Sequence, residues 1–235
     1  MKNLAKHTLI SQFVAAAIGV TALNASAQML EEVVVTATKR AEGLQDVPIS
    51  LSVMSGDRIT ELGITDLASL SVFVPNVHIN EASAGDQLFI RGVGSGVNYG
   101  FEQSVGTFID GVYFGRGRSS RSKFLDLERV EVLKGPQSTL FGKNTIAGAI
   151  NITTRRPSDE FEAYVDAGYR TEFDGYSLEG MVNVPINDDI RVRFVARYYE
   201  DDGYLDNPLP GEPNGQTRED TTFRAVIDWD VSADL

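Results

Sequence analysis

Four stretches toward the C-terminal end alternate between apolar and polar positions. Phe161, Ala163, Val165, Ala167 and Tyr169 alternate with Glu162, Tyr164, Asp166, Gly168 and Arg170. Tyr176, Leu178, Gly180, Val182 and Val184 alternate with Ser177, Glu179, Met181 and Asn183. Ile190, Val192, Phe194, Ala196 and Tyr198 alternate with Arg191, Arg193, Val195, Arg197 and Tyr199. Phe223, Ala225, Ile227 and Trp229 alternate with Arg224, Val226 and Asp228. A period of two puts successive side chains on opposite faces of a strand. The pattern therefore predicts four strands of roughly ten residues, each with one apolar and one polar face. A transmembrane β-barrel has this pattern, apolar toward lipid and polar toward the lumen. A soluble antiparallel sheet with one face on a core gives the same alternation. Strand length and the aromatic residues near the strand ends favour the barrel.

The connections agree. "TEFDG" and "PINDD" are short, whereas Asp201–Asp220 is long, polar and rich in Pro and Gly. Outer-membrane barrels have short periplasmic turns and longer outside loops. Four strands cannot close a barrel, and an open edge in lipid leaves backbone groups unpaired. The chain is therefore expected to be the N-terminal part of a longer protein.

Before these strands the pattern is mixed. "PISLSV" (Pro48–Val53) alternates as a short strand. "SGDRITELG" predicts a helix with Ser55 as N-cap and Gly63 as its stop. "TDLASLSVFVPNV" predicts a second helix, capped by Thr65, with Leu67 and Leu70 on one face and Pro75 ending it. Short apolar runs separated by glycines follow: "LFIRG", "SVGTFIDGVYFG", "LERVEVLKG" and "AGAINITT". These predict strands joined by tight turns, with Asp110-Gly111 as one turn.

The extreme N-terminus reads differently. Lys2 and Lys6 precede an apolar run, Phe13 to Val20, and Ala25-Ser26-Ala27 has small residues at both positions of a cleavage site. This is the layout of a secretory signal peptide. A transmembrane anchor is the weaker reading, because Ser11, Gln12 and Thr21 interrupt a stretch already short for a span. Removing residues 1–27 takes away two lysines and no acid, so the net charge moves from −12 to −14. An acidic chain disfavours a nucleic-acid partner. With no Cys, disulfides and thiolate metal sites are excluded. His78 stands alone beyond the leader, so it is read as structural rather than as a metal ligand.

Shortly after the leader comes "EEVVVTATKR", Glu31–Arg40, a β-forming run with charged flanks and no evident partner. In that position it resembles the TonB box of TonB-dependent outer-membrane receptors. "LFIRGVG", "VGTFIDGVY" and above all "LERVEVLKGPQSTLFGKNTIAGAINITTRRP" (Leu127–Pro157) resemble the plug domain of that family. The family's usual paired Gly is Ala147-Gly148 in this chain. Ala serves there unless a positive φ is required.

The resemblance implies an α+β plug domain followed by the first antiparallel strands of a transmembrane β-barrel of the plugged class. It divides the chain into signal peptide (1–27), a periplasmic N-terminal segment with the box (28–46), plug (47–157) and first barrel strands (158–235). It implies uptake of a scarce ligand across the outer membrane of a Gram-negative bacterium. A ferric siderophore leads, ahead of cobalamin, haem and oligosaccharide; a truncated, non-transporting product is the other reading. Partners implied are TonB, energised by the inner-membrane ExbB-ExbD complex, the ligand, and outer-membrane lipid. No cofactor and no enzymatic activity are implied.

Site residues follow from the matched motifs. Glu32, Val33, Val34, Val35, Thr36 and Ala37 are expected to add as a strand to an edge of TonB, which explains a run without a partner in its own chain. Plug loops Gly92–Phe101 and Phe114–Ser122 are expected to face the ligand through Ser95, Asn98, Tyr99, Phe101, Arg116, Arg118 and Arg121. The three arginines either attract an anionic ligand or pair with acidic groups of the wall. Tyr113 is expected to pack in the core. Arg91, Arg129 and Glu131 are expected to form a plug-to-barrel latch. "GPQSTLFGKN" is no nucleotide loop, since six residues separate Gly135 from Gly142 and Asn144 follows Lys143. Hydrolase triads have no support with His78 as the one His beyond the leader.

Overall fold

The computed structural model describes residues 34–35, 42–43, 47–81, 85–96, 102–171, 174–203, 205, 208, 215 and 217–231. Residues 1–27, expected to form a signal peptide, lie outside the described residues. Val35–Leu235 forms one compact unit.

β1 (Val34–Val35) and β2 (Glu42–Gly43) form a two-stranded sheet. The expectation that the Val33–Ala37 run has no partner in its own chain is thereby corrected. The pairing covers only two residues on each side. A ladder that short is marginal by itself in water. Glu32, Val33, Thr36 and Ala37 lie outside the described residues.

β3 (Leu51–Ser55) leads directly into α1 (Gly56–Glu61). Ser55 caps α1 by accepting from the Arg58 amide at 3.3 Å, and Gly63, at φ 63°, ends it. α2 spans Leu67–Phe73. Its cap is Asp66, not Thr65 as the sequence predicts. Asp66 Oδ1 accepts from the Ser69 amide at 2.8 Å, while Ser69 Oγ accepts from the Asp66 amide at 3.1 Å. This reciprocal box satisfies two amide donors at the helix start.

β4 (Val77–Asn80), β5 (Gln87–Ile90) and β6 (Val93–Gly94) form a three-stranded sheet. β7 (Val105–Ile109) and β8 (Val112–Phe114) form a hairpin. Its turn, Asp110-Gly111, has φ of 48° and 79°, the two positive values that a tight hairpin needs. β9 (Leu127–Lys134), the short helix α3 (Ser138–Phe141) and β10 (Gly148–Thr154) complete this region. The main sheet has the order β3-β9-β10-β7-β8. β10 runs parallel to β7 and antiparallel to β9.

Strand alternation gives this sheet two different faces. Val130, Val132, Ile150 and Ile152 pack with Ile59, Leu67 and Leu70 of the helices in the main core. Leu133, Ala149 and Phe108 form a second cluster, with Leu51, Tyr113 and Phe141 against it. Gly148 allows the chain to pass there, because a Cβ would lie 2.3 Å from the Leu133 carbonyl oxygen. Ala147 is buried without a positive φ, so Ala in place of the family's glycine is accommodated.

The four predicted wall strands are present as β11 (Glu162–Arg170), β12 (Gly175–Pro185), β13 (Ile190–Asp201) and β14 (Arg218–Trp229). They form an antiparallel meander in sequence order. Val165 pairs with Gly180, Val182 with Phe194, and Phe194 with Ala225, so the apolar rows predicted from sequence join into one face. Tyr169 and Tyr176 close that face at one end, with ring centroids 5.0 Å apart. No helix among the described residues is long and apolar enough to cross a membrane, which says nothing of strands.

Candidate functional site

Two places concentrate polar side chains. The first lies where β7 and β10 begin, side by side. Ser95 Oγ meets Ser104 Oγ at 2.8 Å and accepts from the Ser104 amide at 2.7 Å, fixing the start of the loop after β6. Asn98, Tyr99 and Phe101 lie outside the described residues. Glu102 pairs with Lys143 at 3.0 Å and accepts from Asn144. Hydrogen bonds from Lys143 and Asn144 hold the Glu102 carboxyl below its usual range, with Arg116 adding to the effect. Asn144 Nδ2 also donates to the Tyr113 hydroxyl at 2.9 Å. Tyr113 packs on Phe108, which also meets Phe141, at centroid distances of 5.3 and 4.9 Å. Burial pushes the Tyr113 phenol up. Tyr113 is thus a packing residue, as expected, whereas Glu102, Lys143 and Asn144 were not foreseen.

The three arginines of the second loop divide. Arg116 and Arg118 are exposed. Arg121, which ends a 3-10 turn over Gly117–Arg121, contacts the buried Asp86 at 2.9 Å through Nε and Nη2. Asp86 comes from the segment before β5, so the partner belongs to neither ligand nor wall. The Asp86 amide donates to the Gly117 carbonyl at 3.3 Å. A Cβ on Gly117 would lie 2.4 Å from the Asp86 carbonyl oxygen. Glycine there lets two loop segments touch.

The second place is the junction of the mixed region with the strand wall. Asp126 and Arg193 are each 2% exposed in their side chains and make two 2.7 Å bonds, a bidentate pair. Arg224 Nη2 reaches the same carboxylate at 2.7 Å. Beside them Leu125 packs with Met181 and Val195, and Arg197 Nη1 donates to the Phe124 carbonyl at 3.3 Å.

Arg91, Arg129 and Glu131, the residues expected to latch, make contacts within residues 50–151. Arg129 Nε donates to Glu131 at 2.9 Å, and Asn151 Nδ2 donates to the other Glu131 oxygen at 2.9 Å. Arg91 Nη2 donates to Ser50 Oγ at 2.7 Å. The Arg129, Glu131 and Asn151 contacts lie within the main sheet, and the Arg91 contact joins the turn after β5 to the residue before β3. A junction signal was available in sequence: Arg193 and Arg224 stand on the polar face of wall strands, where a packed neighbour must supply countercharge.

Within the wall, Tyr199 lies against Arg170 and Arg197, whose guanidinium carbons are 5.6 and 5.7 Å from its ring centre. Its hydroxyl donates to Asp201 at 2.6 Å. Among the described residues no acidic or His cluster is arranged to hold a metal ion.

A mixed sheet with two capped helices, docked by buried charge on antiparallel strands with an apolar outer face, narrows the choice of family. Residues 43–149 match the TonB-dependent receptor plug domain. The chain contains a TonB-dependent receptor plug domain. It is similar to the pesticin receptor of Yersinia pestis, 30% identical over 192 residues, covering 79% of this chain and 28% of that protein. It is also similar to the ferric-pyoverdine 358 receptor of Pseudomonas putida, 24% identical over 176 residues, covering 73% of this chain and 21% of that one. Among solved structures, the ferric yersiniabactin uptake receptor FyuA from Yersinia pestis superposes with a TM-score of 0.69 at 25% identity. That match covers 76% of this chain and 28% of FyuA. The chain thus spans less than a third of the length of these relatives. The plug-like region and the antiparallel strands meet at Asp126.

Proposed function

We propose that this chain serves TonB-dependent uptake of a ferric siderophore across the outer membrane. The observation that carries the reading is a plug domain, residues 43–149, seated on antiparallel strands with one apolar face. Relatives named as a ferric-pyoverdine receptor and a ferric yersiniabactin uptake receptor support the ligand class. In this reading the apolar face meets lipid and the plug blocks the lumen.

Ser95, Asn98, Tyr99, Phe101, Arg116 and Arg118 face the ligand. Arg121 positions that surface through Asp86. Glu32 to Ala37 add as a strand to TonB, which draws on the ExbB-ExbD complex for energy. Main-chain hydrogen bonds give such an added strand its affinity. A two-residue cis pairing at Val34–Val35 is short enough to be exchanged for a longer one.

The test uses a Cys at Val34, in a chain that has none of its own. Cells lacking other receptors are offered radiolabelled ferric catecholate, hydroxamate and carboxylate chelates, and separately haem and cobalamin. Accumulation of one ferric chelate is expected, together with ligand-enhanced cross-linking of the Val34→Cys chain to TonB. Accumulation of haem or cobalamin alone would replace the siderophore. No ligand-dependent cross-link with any probe would remove the transport reading.

A further inference from the structure

Asp126 occupies a corner between the plug's 3-10 turn and β9, with φ of 51°, a left-handed conformation that Asp tolerates better than most residues. Its carboxylate takes two bonds from Arg193 and one from Arg224, all at 2.7 Å. Its carbonyl oxygen accepts from the Arg155 amide at 3.0 Å and from Arg224 Nη2 at 3.1 Å. Arg224 also reaches the Arg155 carbonyl, at 3.4 Å. The acceptors of Arg224 among the described residues therefore all lie at this corner. Its Nε and Nη1 are buried without an acceptor. Arg193 has one other carboxylate in reach, Glu162 at 3.3 Å.

Asp126 and Glu162 are the carboxylates bonded to Arg193 and Arg224 here, and Arg197 also reaches the junction through the Phe124 carbonyl. Docking of the corner is what brings the Asp126 charge to the two arginines. Removing the Asp126 charge leaves Arg224, whose side chain is 19% exposed with Nε and Nη1 buried, facing no carboxylate among the described residues, and a largely buried charge without a partner opposes docking. Removing the charge together with the two arginines lifts that penalty and leaves the apolar contact of Leu125 with Met181 and Val195.

We propose that Asp126 is the positioning residue that seats the plug on the first wall strands, by neutralising two lumen-facing arginines as the corner docks. The proposal rests on the assignment of 47–157 as plug and 158–235 as wall, and not on the ligand or on transport.

The absence of native Cys makes a clean test. One Cys pair, at Leu125 and Val195, reports seating. A second pair, at the paired positions Gly180 and Ala196 of β12 and β13, reports the wall alone. Each is cross-linked with a short bifunctional maleimide in membranes of cells producing the chain. Asp126→Asn is expected to lower the seating cross-link about fivefold or more and leave the wall cross-link unchanged. Asp126→Asn combined with Arg193→Gln and Arg224→Gln is expected to regain at least about half of the seating cross-link. An Asp126→Asn chain with unchanged seating would show that Leu125 alone holds the corner. Loss of both cross-links would make Asp126 a folding residue of the wall. A triple variant no better than Asp126→Asn would remove charge balance as the cause. Each of these three outcomes overturns the proposal.

Discussion

Glu131 has no exposed surface, yet it carries a carboxylate in the middle of the plug's sheet. Arg129 and Asn151 each donate to one of its oxygens at 2.9 Å. Arg129 also pairs with Glu128, so loss of Glu131 leaves buried donors unsatisfied rather than a charge without a partner, at a cost of about 1–3 kcal/mol. Glu131→Ala is therefore expected to lower plug stability by about that amount, with Glu131→Gln less harmful; urea unfolding followed at plug residues measures both. Asp66 makes a pH-dependent contribution. Burial raises its pKa, but hydrogen bonds from Lys123 and Ser69 outweigh this and set it below the ordinary 3.8. A carboxyl depressed in the folded state stabilises fully above its unfolded value and loses that contribution as pH falls through the folded value. Asp66→Ala should thus cost about 1–2 kcal/mol near pH 7, as for a lost helix cap. The gap between variant and parent should narrow below pH 3.8, which unfolding at a series of pH values would reveal. Only part of this was legible in sequence. The α2 start was visible to within one residue, whereas the Arg129 and Asn151 contacts of Glu131, expected from the family resemblance to be a latch residue, depend on strand register that no local pattern gives. Asp126 and Arg193 are 67 residues apart, and no local pattern links them.

The wall strands were the most legible elements, because two different solvents act on them. Lipid demands apolar side chains at every second position and the lumen admits polar ones. The period survives into the register: Val182, Phe194 and Ala225 fall in one row across three strands. α3, with four residues, and β4, also with four, are too short to show any period and went unread. The face assignment makes a prediction. Phe194 is on the apolar face and Arg197 on the other. Phe194→Arg is expected to cost about 2–4 kcal/mol in the membrane and to reduce folded chain in the outer membrane. Arg197→Gln, three residues along but facing inward, should leave that level close to the parent. Quantifying heat-modifiable folded protein in membrane fractions compares the two; equal losses would mean that the faces are misassigned.

At the scale of the whole molecule, charge is distributed against the average. The chain carries a net −12, yet Arg116 and Arg118 are both exposed on one short loop. Arg121, in the same loop, is committed to Asp86. The sequence alone could not separate these three, since they differ only in what the fold brings beside them. Glu102 holds Lys143, and Arg116 lies near enough to influence its carboxyl, so the loop's cationic field belongs chiefly to Arg116 and Arg118. A local positive site within an acidic surface speeds the arrival of anions, by a factor that falls steeply with salt. Beyond a Debye length of about 8 Å at physiological ionic strength, exposed charges are screened. Arg116→Gln with Arg118→Gln is therefore expected to slow association of an anionic ferric chelate by about tenfold at low salt. The two rates should converge as salt rises, and an uncharged chelate should bind the variant and the parent alike. Arg121→Gln should behave differently, disturbing the loop through Asp86 and weakening both ligands with little dependence on salt. Stopped-flow association at several ionic strengths distinguishes the two patterns. A salt-independent loss in the double variant would mean that the arginines act through loop structure and not through their field.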